Sequence, residues 1–415
     1  MTSDPVPPPD ATGSLVRPLV RGPEPDLDPV GEEQLDAITA DALRAAGSLK
    51  WSTPDTLGAF VAEMDFPAAE PVVRALHAAV AEGAFGYLPP AAWTNLAEAA
   101  ATWHRDSYGW DVPPEAVHAL PDVLAGFMVA VEHFSRAGSP VVLPTPAYMP
   151  FLTVPATLGR EVVEVPAVEV GGVRTLDLEA IDRALAPAGG LVVLCNPHNP
   201  LGRVLRREEL LALCEVVERR GGRVFSDEIH APLVYPGALH VPYASISPEA
   251  AAHTVTATSA SKAWNIPGLK CAQMILSNPA DAAVWQRIGD LAGHGTSTLG
   301  VVAATAAYRL GRPWLDSVLG YLDGTRFLLA DLLAEHLPEV RYTPPHGTYL
   351  AWLDCRALDL PTSPGVFFRQ QAGVALTDGA ACGRAGEGFA RYTFATPRPL
   401  VVQAVEAMGQ AVRRR

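Results

Sequence analysis

One lysine, Lys262, closely follows an apolar, β-branched run typical of a buried strand, Thr254 to Thr258. The residues between them are small and include the hydroxyl groups of Ser259 and Ser261. Lysine is rarely buried, because its ammonium must be paired or lose its proton. This lysine either reaches solvent from the strand end, or is kept partly desolvated so that its amine can form a Schiff base. These residues alone leave both interpretations open.

Two further polar clusters follow apolar runs. Asp227 ends the run Arg223 to Ser226, where a carboxylate is costly unless it meets a cation. A protonated pyridine nitrogen would be such a cation, and a helix cap or a structural salt bridge is the alternative. His230 could reach a phenolic oxygen on such a ring, or be an ordinary buried or surface histidine. Asn199, in the double-proline turn Asn196 to Gly202, could offer its amide to a ring oxygen or simply form the turn.

A third group of residues could hold a phosphate. The segment Pro121 to Gly126 precedes an apolar helix, and the free N–H groups at a helix N-terminus suit an anion, although every helix has such an end. Ser259 and Ser261 add hydroxyl donors, and Lys270 adds a positive charge. A dianionic phosphate between these groups is therefore one interpretation.

Two residues are candidates for contacts with a planar ring and with a carboxylate. Tyr148 could stack on a planar cofactor or pack in the core. Arg391 lies in an apolar strand-like run. An arginine there is best explained by a bidentate carboxylate partner, which is either an acidic side chain or a substrate.

The elements that must position these residues alternate between apolar runs and amphipathic helices. The candidate strands are Pro140 to Leu143, Glu161 to Val165, Leu191 to Cys195, Arg223 to Ser226, Thr254 to Thr258 and Ala272 to Leu276. Helical stretches such as Arg207 to Arg220 lie between them. This pattern predicts a mainly parallel sheet covered by helices on both faces. Ligands of such sheets bind at the carboxyl ends of the strands, which favours one shared site over three separate loops.

The same pass along the chain predicts an arm and two domains. Residues 1–28 are rich in proline and poor in apolar residues, which is typical of a flexible arm. We expect a large domain at 75–315, and a smaller α+β domain made from 29–74 and 316–415. In the smaller domain we expect a helix from Glu32 to Ala46, a short strand and turn from Gly58 to Pro67, and strands within Pro345 to Asp354 and Ala390 to Phe394. A helix from Pro71 to Glu82 is expected at the border between the two domains.

Composition excludes several classes of protein. The net charge of −14 argues against nucleic acid or an anionic membrane as the main partner. The five cysteines form no CxxC pair, so neither a disulfide framework nor a zinc site is expected, and we predict no metal. The absence of a signal-like start and of a long apolar run predicts a soluble, cytoplasmic protein. Motifs of dehydrogenases, P-loop enzymes, α/β-hydrolases and zincins are missing.

The ordered motifs resemble those of the fold-type I pyridoxal phosphate (PLP) enzymes and, more closely, the MalY/PatB-type C–S β-lyases (cystathionine β-lyases). The resemblance spans about residues 45 to 410. It rests on Ala62 to Phe66, Phe85 to Tyr87, Cys195 to Gly202, Ser226 to Val234, Thr258 to Leu269, Gly347 to Asp354 and Gly388 to Arg398. It implies an α/β fold-type I PLP-dependent transferase of aminotransferase class I/II, with a large PLP-binding domain and a smaller one.

The resemblance also implies roles for single residues around the cofactor. Lys262 would form the Schiff base with PLP, and Asp227 would pair with the pyridine nitrogen. The remaining cofactor contacts would be Asn199 and His230 at the phenolic oxygen, Tyr148 against the ring, and Val123, Leu124, Ser259 and Ser261 at the phosphate. Lys270 takes a place where related aminotransferases often have arginine and many C–S lyases have an uncharged residue.

For the substrate, the resemblance implies that Arg391 binds the α-carboxylate. Tyr87 would reach the phosphate or the substrate from the neighbouring subunit, which makes a homodimer with shared active sites the working unit. Phe60 to Met64, including Ala62, would line the substrate pocket with Tyr148 and the loop His346 to Tyr349.

The implied reaction is β-elimination from L-cystathionine or a related L-cysteine S-conjugate, giving a thiol such as homocysteine, pyruvate and ammonia. Lys262 would remove the Cα proton, and Lys262 or a tyrosine, Tyr148 or Tyr87, would help the thiolate to leave. An aminotransferase on the same scaffold is the alternative, because every named residue would serve both reactions. A regulator that has kept the fold without catalysis is a third hypothesis.

Overall fold

A computed structural model describes residues 30–186 and 189–415, so the predicted arm at 1–28 lies outside the described residues. The helices are α1 (Glu32–Asp36), α2 (Ala40–Ala46), α3 (Glu70–Ala81), α4 (Pro90–Tyr108), α5 (Val123–His133), α6 (Pro150–Thr157), α7 (Leu178–Leu185), α8 (Arg207–Arg220), α9 (Pro248–His253), α10 (Pro279–Gly293), α11 (Thr298–Leu310), α12 (Arg312–His336), α13 (Pro364–Ala372) and α14 (Arg398–Arg413). The strands are β1 (Leu57–Ala59), β2 (Val117–Leu120), β3 (Val141–Thr145), β4 (Val162–Pro166), β5 (Val168–Val170), β6 (Val173–Thr175), β7 (Leu191–Cys195), β8 (Arg223–Asp227), β9 (Thr254–Thr258), β10 (Ala272–Leu276), β11 (Leu350–Asp354), β12 (Val374–Asp378) and β13 (Phe389–Thr393).

The larger sheet has seven strands in the order β2-β10-β9-β8-β7-β3-β4. Strands β4, β3, β7, β8 and β9 are parallel, and β10 and β2 complete the sheet in antiparallel pairs. Consecutive residues of β3 pack into different cores: Val141 lies in a cluster with Phe127, and Val142 in a cluster with Leu213. Both faces are therefore covered, which is why the strands are continuously apolar. The predicted mainly parallel sheet is confirmed.

A four-stranded sheet in the order β1-β12-β13-β11 lies apart from the first in sequence. Leu57 and Ala59 of β1 pair in parallel with Val374 and Leu376 of β12, so the chain returns to its N-terminal part after more than 300 residues. Strand β13 pairs antiparallel with both β12 and β11. The loop that follows β1 is thereby held beside β13. The domain limits at 74/75 and 315/316 stay a prediction.

Two predicted elements are shorter than expected. The helix expected from Glu32 to Ala46 is broken into α1 and α2, because the Thr39 hydroxyl accepts from the N–H of Ala42 and starts a new helix. The strand expected within Pro345 to Asp354 begins only at Leu350. Thr348 before it has a φ of 65°, in the left-handed region, which interrupts an extended chain.

Other predicted elements match within a residue or two, and some strands were missed. Helix α8 and strands β7, β9 and β10 have the predicted bounds. The missed strands are β2, β12 and the β5–β6 hairpin. Across residues 30–186 and 189–415, no helix is both long and apolar enough to cross a membrane. The five cysteines are buried and free.

Candidate active site

Asp227 lies at the carboxyl end of its strand, and Asn199 lies just beyond the end of the neighbouring strand. Asp227 is the last residue of β8, and the N–H of Asn196, directly after β7, donates to the Asp227 carbonyl at 3.0 Å. The turn that follows Asn196 carries the buried side chain of Asn199. Parallel strands end at one edge of a sheet, so the two predicted side chains share that edge.

The Asp227 carboxylate receives its hydrogen bonds from neutral groups in the described part of the chain. The backbone N–H of Ile229 donates to one oxygen at 3.1 Å, and the Cys195 thiol lies 3.7 Å from the other. Burial raises the pKa of Asp227 to about 6, because these two contacts replace water only in part. A carboxylate in this state fits a buried cation such as a protonated ring nitrogen.

Lys262 lies on the turn after β9 and is partly accessible. Its amine donates to the carbonyl oxygen of Ala62 at 2.7 Å, and the hydroxyl of Tyr349 donates to the same oxygen at 3.0 Å. Desolvation by the enclosing protein, together with the nearby Arg391 cation, lowers the pKa of Lys262 to about 8. Some of the amine is therefore unprotonated near neutral pH, as a nucleophile or base requires.

The loop that carries Ala62 is fixed by contacts from other elements. The Asn265 side chain accepts from the N–H of Met64 and donates to its carbonyl, each at 2.9 Å. Lys50 and Asp65 form a buried ion pair at 2.7 Å at the other side of the loop. Asn265 has a φ of 56°, which asparagine tolerates better than most residues. The segment after Lys262 therefore positions the carbonyl that holds Lys262.

Arg391, on β13, is buried and reaches across to the larger sheet. It donates to the Asn199 side-chain oxygen at 3.1 Å, to the Phe60 carbonyl at 2.7 Å and to the Thr377 hydroxyl at 3.1 Å. Its Nε is buried and has no hydrogen-bond partner in the described part of the chain. The acidic side chain that the sequence left open as a partner is not found in residues 30–186 and 189–415. A guanidinium with neutral partners retains the capacity to bind a carboxylate.

His230 and Tyr148 also lie in this region. His230 is buried, and its Nδ1 has no hydrogen-bond partner within the described ranges. Its ring packs edge-on at 5.9 Å from the ring of Tyr349. Burial, with the nearby cations of Lys262 and Arg391, lowers the pKa of His230 to about 3, so the ring is neutral. Burial also raises the pKa of the half-buried Tyr148, which keeps its phenol protonated.

The N-terminus of α5 is capped by Asp122. One carboxylate oxygen of Asp122 accepts from the N–H of Ala125 at 2.8 Å, and the other accepts from Lys270 at 2.7 Å. The cap leaves the N–H groups of Val123 and Leu124 without an acceptor among the described residues. Two N–H groups beside a lysine at a helix N-terminus form a place for an anion.

The two serines predicted at the phosphate differ. The Ser259 hydroxyl donates to the Cys271 carbonyl at 2.7 Å and accepts from the Ser261 N–H at 3.0 Å. Its only proton is thus committed, and Ser259 would have to rotate before it could donate to a phosphate. The Ser261 hydroxyl forms no hydrogen bond within the described ranges and can donate.

Tyr87 is not brought together with the other predicted residues. It is 90 % exposed on the loop after α3, and its ring lies 6.2 Å from that of His294. The hydroxyl of Thr298 fixes this loop by donating to the Gly86 carbonyl at 2.9 Å. Tyr87 is therefore free to contact another chain.

Sequence reasoning missed several groups that hold these side chains. They are the Cys195 thiol, the Phe60 carbonyl and the Thr377 hydroxyl. Cys195 could have been noticed as the residue opposite Asp227 on the adjacent strand. A backbone carbonyl, by contrast, leaves no signal in the sequence.

The assembled residues fit an organic cofactor with three features. The amine of Lys262 suits an aldehyde, the Asp227 carboxylate suits a cationic ring nitrogen, and the N–H groups of Val123 and Leu124 suit a phosphate. No group of three or more potential metal ligands occurs in the described ranges.

Comparisons with known proteins agree with this arrangement. The aminotransferase class I and II family matches residues 61–408. A cystathionine beta-lyase of Corynebacterium glutamicum is 39 % identical over 365 residues, 86 % of this chain and 95 % of that protein. Cystathionine beta-lyase PatB of Bacillus subtilis is 35 % identical, over 83 % of this chain and 91 % of that protein.

A solved structure matches as well. The crystal structure of a proposed PLP-dependent beta-cystathionase from Corynebacterium diphtheriae has a TM-score of 0.85 and 40 % identity, covering 91 % of this chain and 98 % of that one. The predicted resemblance and the fold-type I α/β architecture are thereby confirmed. This chain belongs to the aminotransferase class I and II family.

Proposed function

We propose that this protein is a PLP-dependent C–S β-lyase that cleaves L-cystathionine or related L-cysteine S-conjugates to a thiol, pyruvate and ammonia. The relatives named cystathionine beta-lyase support this activity over that of an aminotransferase. The observation that carries the proposal is the pairing of Lys262 with a backbone carbonyl and of Asp227 with neutral donors. Both groups fit PLP, one at its aldehyde and the other at its ring nitrogen.

Separate groups of this chain hold the ring of the cofactor, its phosphate and the substrate. Asp227 keeps the ring nitrogen protonated, and the neutral His230 and the amide of Asn199 face the phenolic oxygen. The N-terminus of α5, with Ser261 and Lys270, binds the phosphate. Arg391 binds the substrate α-carboxylate and fixes the orientation of the bonds at Cα. Tyr148 lies against the ring face, and the loop around Ala62 with Tyr349 lines the substrate side.

The proton transfers belong to Lys262. Pyridoxal phosphate, when bound, supplies an electron sink for the carbanion at Cα. Lys262, near Ala62, is placed to take the Cα proton, and its pKa near neutrality suits a group that accepts and then returns a proton. The protonated Lys262, or the phenol of Tyr148, then donates to the departing sulfur. The remaining fragment is hydrolysed to pyruvate and ammonia.

The proposal is tested by incubating the purified holoenzyme with L-cystathionine in the absence of any keto acid. We expect equal amounts of thiol and pyruvate. A requirement for added keto acid, with no thiol formed, would show that the chain is an aminotransferase instead. The Lys262→Ala variant is the control for the chemistry at the cofactor.

We also propose that the working unit is a homodimer in which Tyr87 enters the partner's site. The exposure of Tyr87 and of nearby Phe85 and Leu291, at 90 %, 69 % and 85 %, supports a contact surface there. Mixed dimers test this arrangement with two variants, Lys262→Ala and Tyr87→Ala, each inactive alone. When the two variants are mixed, about a quarter of the activity should return, because one of the two sites in a hybrid dimer is intact. Free cysteines are in keeping with a cytoplasmic location.

A further inference from the structure

A cavity of about 270 Å³ lies where the β5–β6 hairpin meets the four-stranded sheet. A single water molecule needs about 10–15 Å³ of such space, so the cavity can hold a small molecule. The charged residues that line it are Glu169, Arg174, Arg203, Arg341, Asp354 and Arg356. Four arginines beside two acids reverse the balance of the whole chain, in which 45 acidic residues outnumber 31 basic ones.

Two of the four arginines are paired with carboxylates. Arg356 donates to both oxygens of Asp354, at 2.8 Å from its Nε and 2.7 Å from its Nη2. Its Nη1 has no acceptor in the described part of the chain. Arg203 donates from its Nη2 to Glu209 at 2.6 Å. These pairs leave Glu169 as the one lining acid for the two remaining arginines.

Arg174 forms no ion pair within residues 30–186 and 189–415, although Glu169 lies opposite it on the hairpin. Its guanidinium carbon lies 4.6 Å from the centre of the Phe389 ring, and that of Arg356 lies 4.7 Å from the same centre. Burial, with the nearby Arg356 cation, lowers the pKa of Arg174. Stacking on a ring uses the face of a guanidinium and leaves its N–H edge free to bind an acceptor.

The wall of the cavity beneath these cations is fixed. The Phe389 ring stacks on that of Trp352, with ring centres 5.3 Å apart and planes within 8°. Trp352 is nine-tenths buried, and its Nε1 has no acceptor among the described residues. Two guanidinium groups held over one rigid ring suit an acceptor with several oxygens, since carboxylates and phosphates match the paired N–H groups of arginine.

We propose that this cavity binds a small oxyanion, either a phosphate group or a carboxylate, between the guanidinium groups of Arg174 and Arg356. Such binding needs no particular reaction at Lys262. Arg174 belongs to β6, and Arg356 directly follows β11 and Cys355. The bound anion therefore joins the hairpin to the four-stranded sheet and offsets the repulsion between the two cations.

Calorimetric titration of the PLP-loaded protein at pH 7.5 tests this site, with sodium phosphate and sodium succinate as separate probes at an ionic strength matched with sodium chloride. We expect one anion per chain, and the tighter probe identifies whether a phosphate or a carboxylate is preferred. Arg174→Gln should weaken binding at least about tenfold, because charge-assisted hydrogen bonds are lost. The exposed Arg136→Gln removes the same charge elsewhere and should leave the dissociation constant unchanged.

Arg174→Lys keeps the charge without the paired N–H groups and should weaken binding about three- to tenfold. It also decides the matter if Arg174→Gln does not fold. Absence of binding for both probes would overturn the proposal. Undiminished binding in Arg174→Gln would place the anion elsewhere, for example at Arg391, and equal losses in Arg174→Gln and Arg136→Gln would show a general effect of net charge. Either result refutes the site.

Discussion

The chain has three lysines, and two of them are held in opposite ways by the same loop. Lys50 is buried in an ion pair with Asp65, whose other oxygen accepts from Trp51 at 2.7 Å. Among residues 30–186 and 189–415, the amine of Lys262 is bound only by the carbonyl of Ala62, three residues from Asp65. The Lys50 ammonium therefore faces the full negative charge of a carboxylate, whereas the Lys262 amine faces only the dipole of a carbonyl group.

This difference separates a structural lysine from a reactive one. The amine of Lys50 is buried against a carboxylate at 2.7 Å, and this ion pair leaves it no approach to an aldehyde. A carbonyl orients the amine of Lys262 without stabilising its charge to the same extent, so desolvation lowers its pKa to about 8. The loop therefore uses Lys50 to hold its shape and presents Ala62 to Lys262.

The difference between Lys262 and Lys50 is tested most directly by removing each amine in turn. Lys262→Ala should lower kcat for pyruvate release from cystathionine by at least about 10³-fold, because both the Schiff-base nitrogen and the base are lost. The folded protein should remain, since no ion pair is broken. Retention of a tenth of the turnover would show that another group does this chemistry.

Lys50→Met should act on stability. It leaves the Asp65 carboxylate buried without its cation, and we expect a loss of about 3–5 kcal/mol in the free energy of unfolding. Denaturant unfolding at pH 7 measures it. The double variant Lys50→Met/Asp65→Asn removes the stranded charge and keeps an acceptor for Trp51, so it should recover more than half of the loss. Additive losses in the double variant would contradict the ion-pair explanation.

The two lysines also show which features of the site could be predicted from the sequence and which could not. Lys262, Asp227 and Asn199 were found because each follows a readable strand, and the parallel sheet that collects such ends is encoded in local apolar patterns. Lys50 gave no signal. Its burial depends on Asp65 and on the Ala395 carbonyl, which is 345 residues away in the chain. Contacts to distant backbone carbonyls, such as that of Ala62, are set by packing and are invisible in the sequence.

The contribution of Lys262 to the pH dependence of the free energy of unfolding should be opposite in sign to that of a lysine in an ion pair. In the cofactor-free protein the pKa of Lys262 is about 8, below its usual 10.5, so the unfolded chain binds more protons between these values. The penalty is full below about pH 8 and disappears as the pH rises through 10.5. Lys262→Met should therefore be more stable than wild type by about 1–3 kcal/mol at pH 7, and equal to it above pH 10.5. Unfolding curves at several pH values measure this, and a constant difference would contradict it.

The smallest expected effect concerns Cys195, which with the Ile229 N–H is one of two neutral donors to Asp227 among the described residues. The thiol hydrogen bond favours the charged carboxylate, so Cys195→Ala should raise the pKa of Asp227 above its value of about 6. Since cofactor binding needs the charged form, PLP affinity should begin to fall about 0.5 pH unit higher than in wild type. Absorbance titrations of the cofactor-free protein between pH 5 and 8 measure this. Cys195→Ser keeps a donor and should resemble wild type; if it shifts as alanine does, packing beneath Asp227 and not hydrogen bonding sets the carboxylate's pKa.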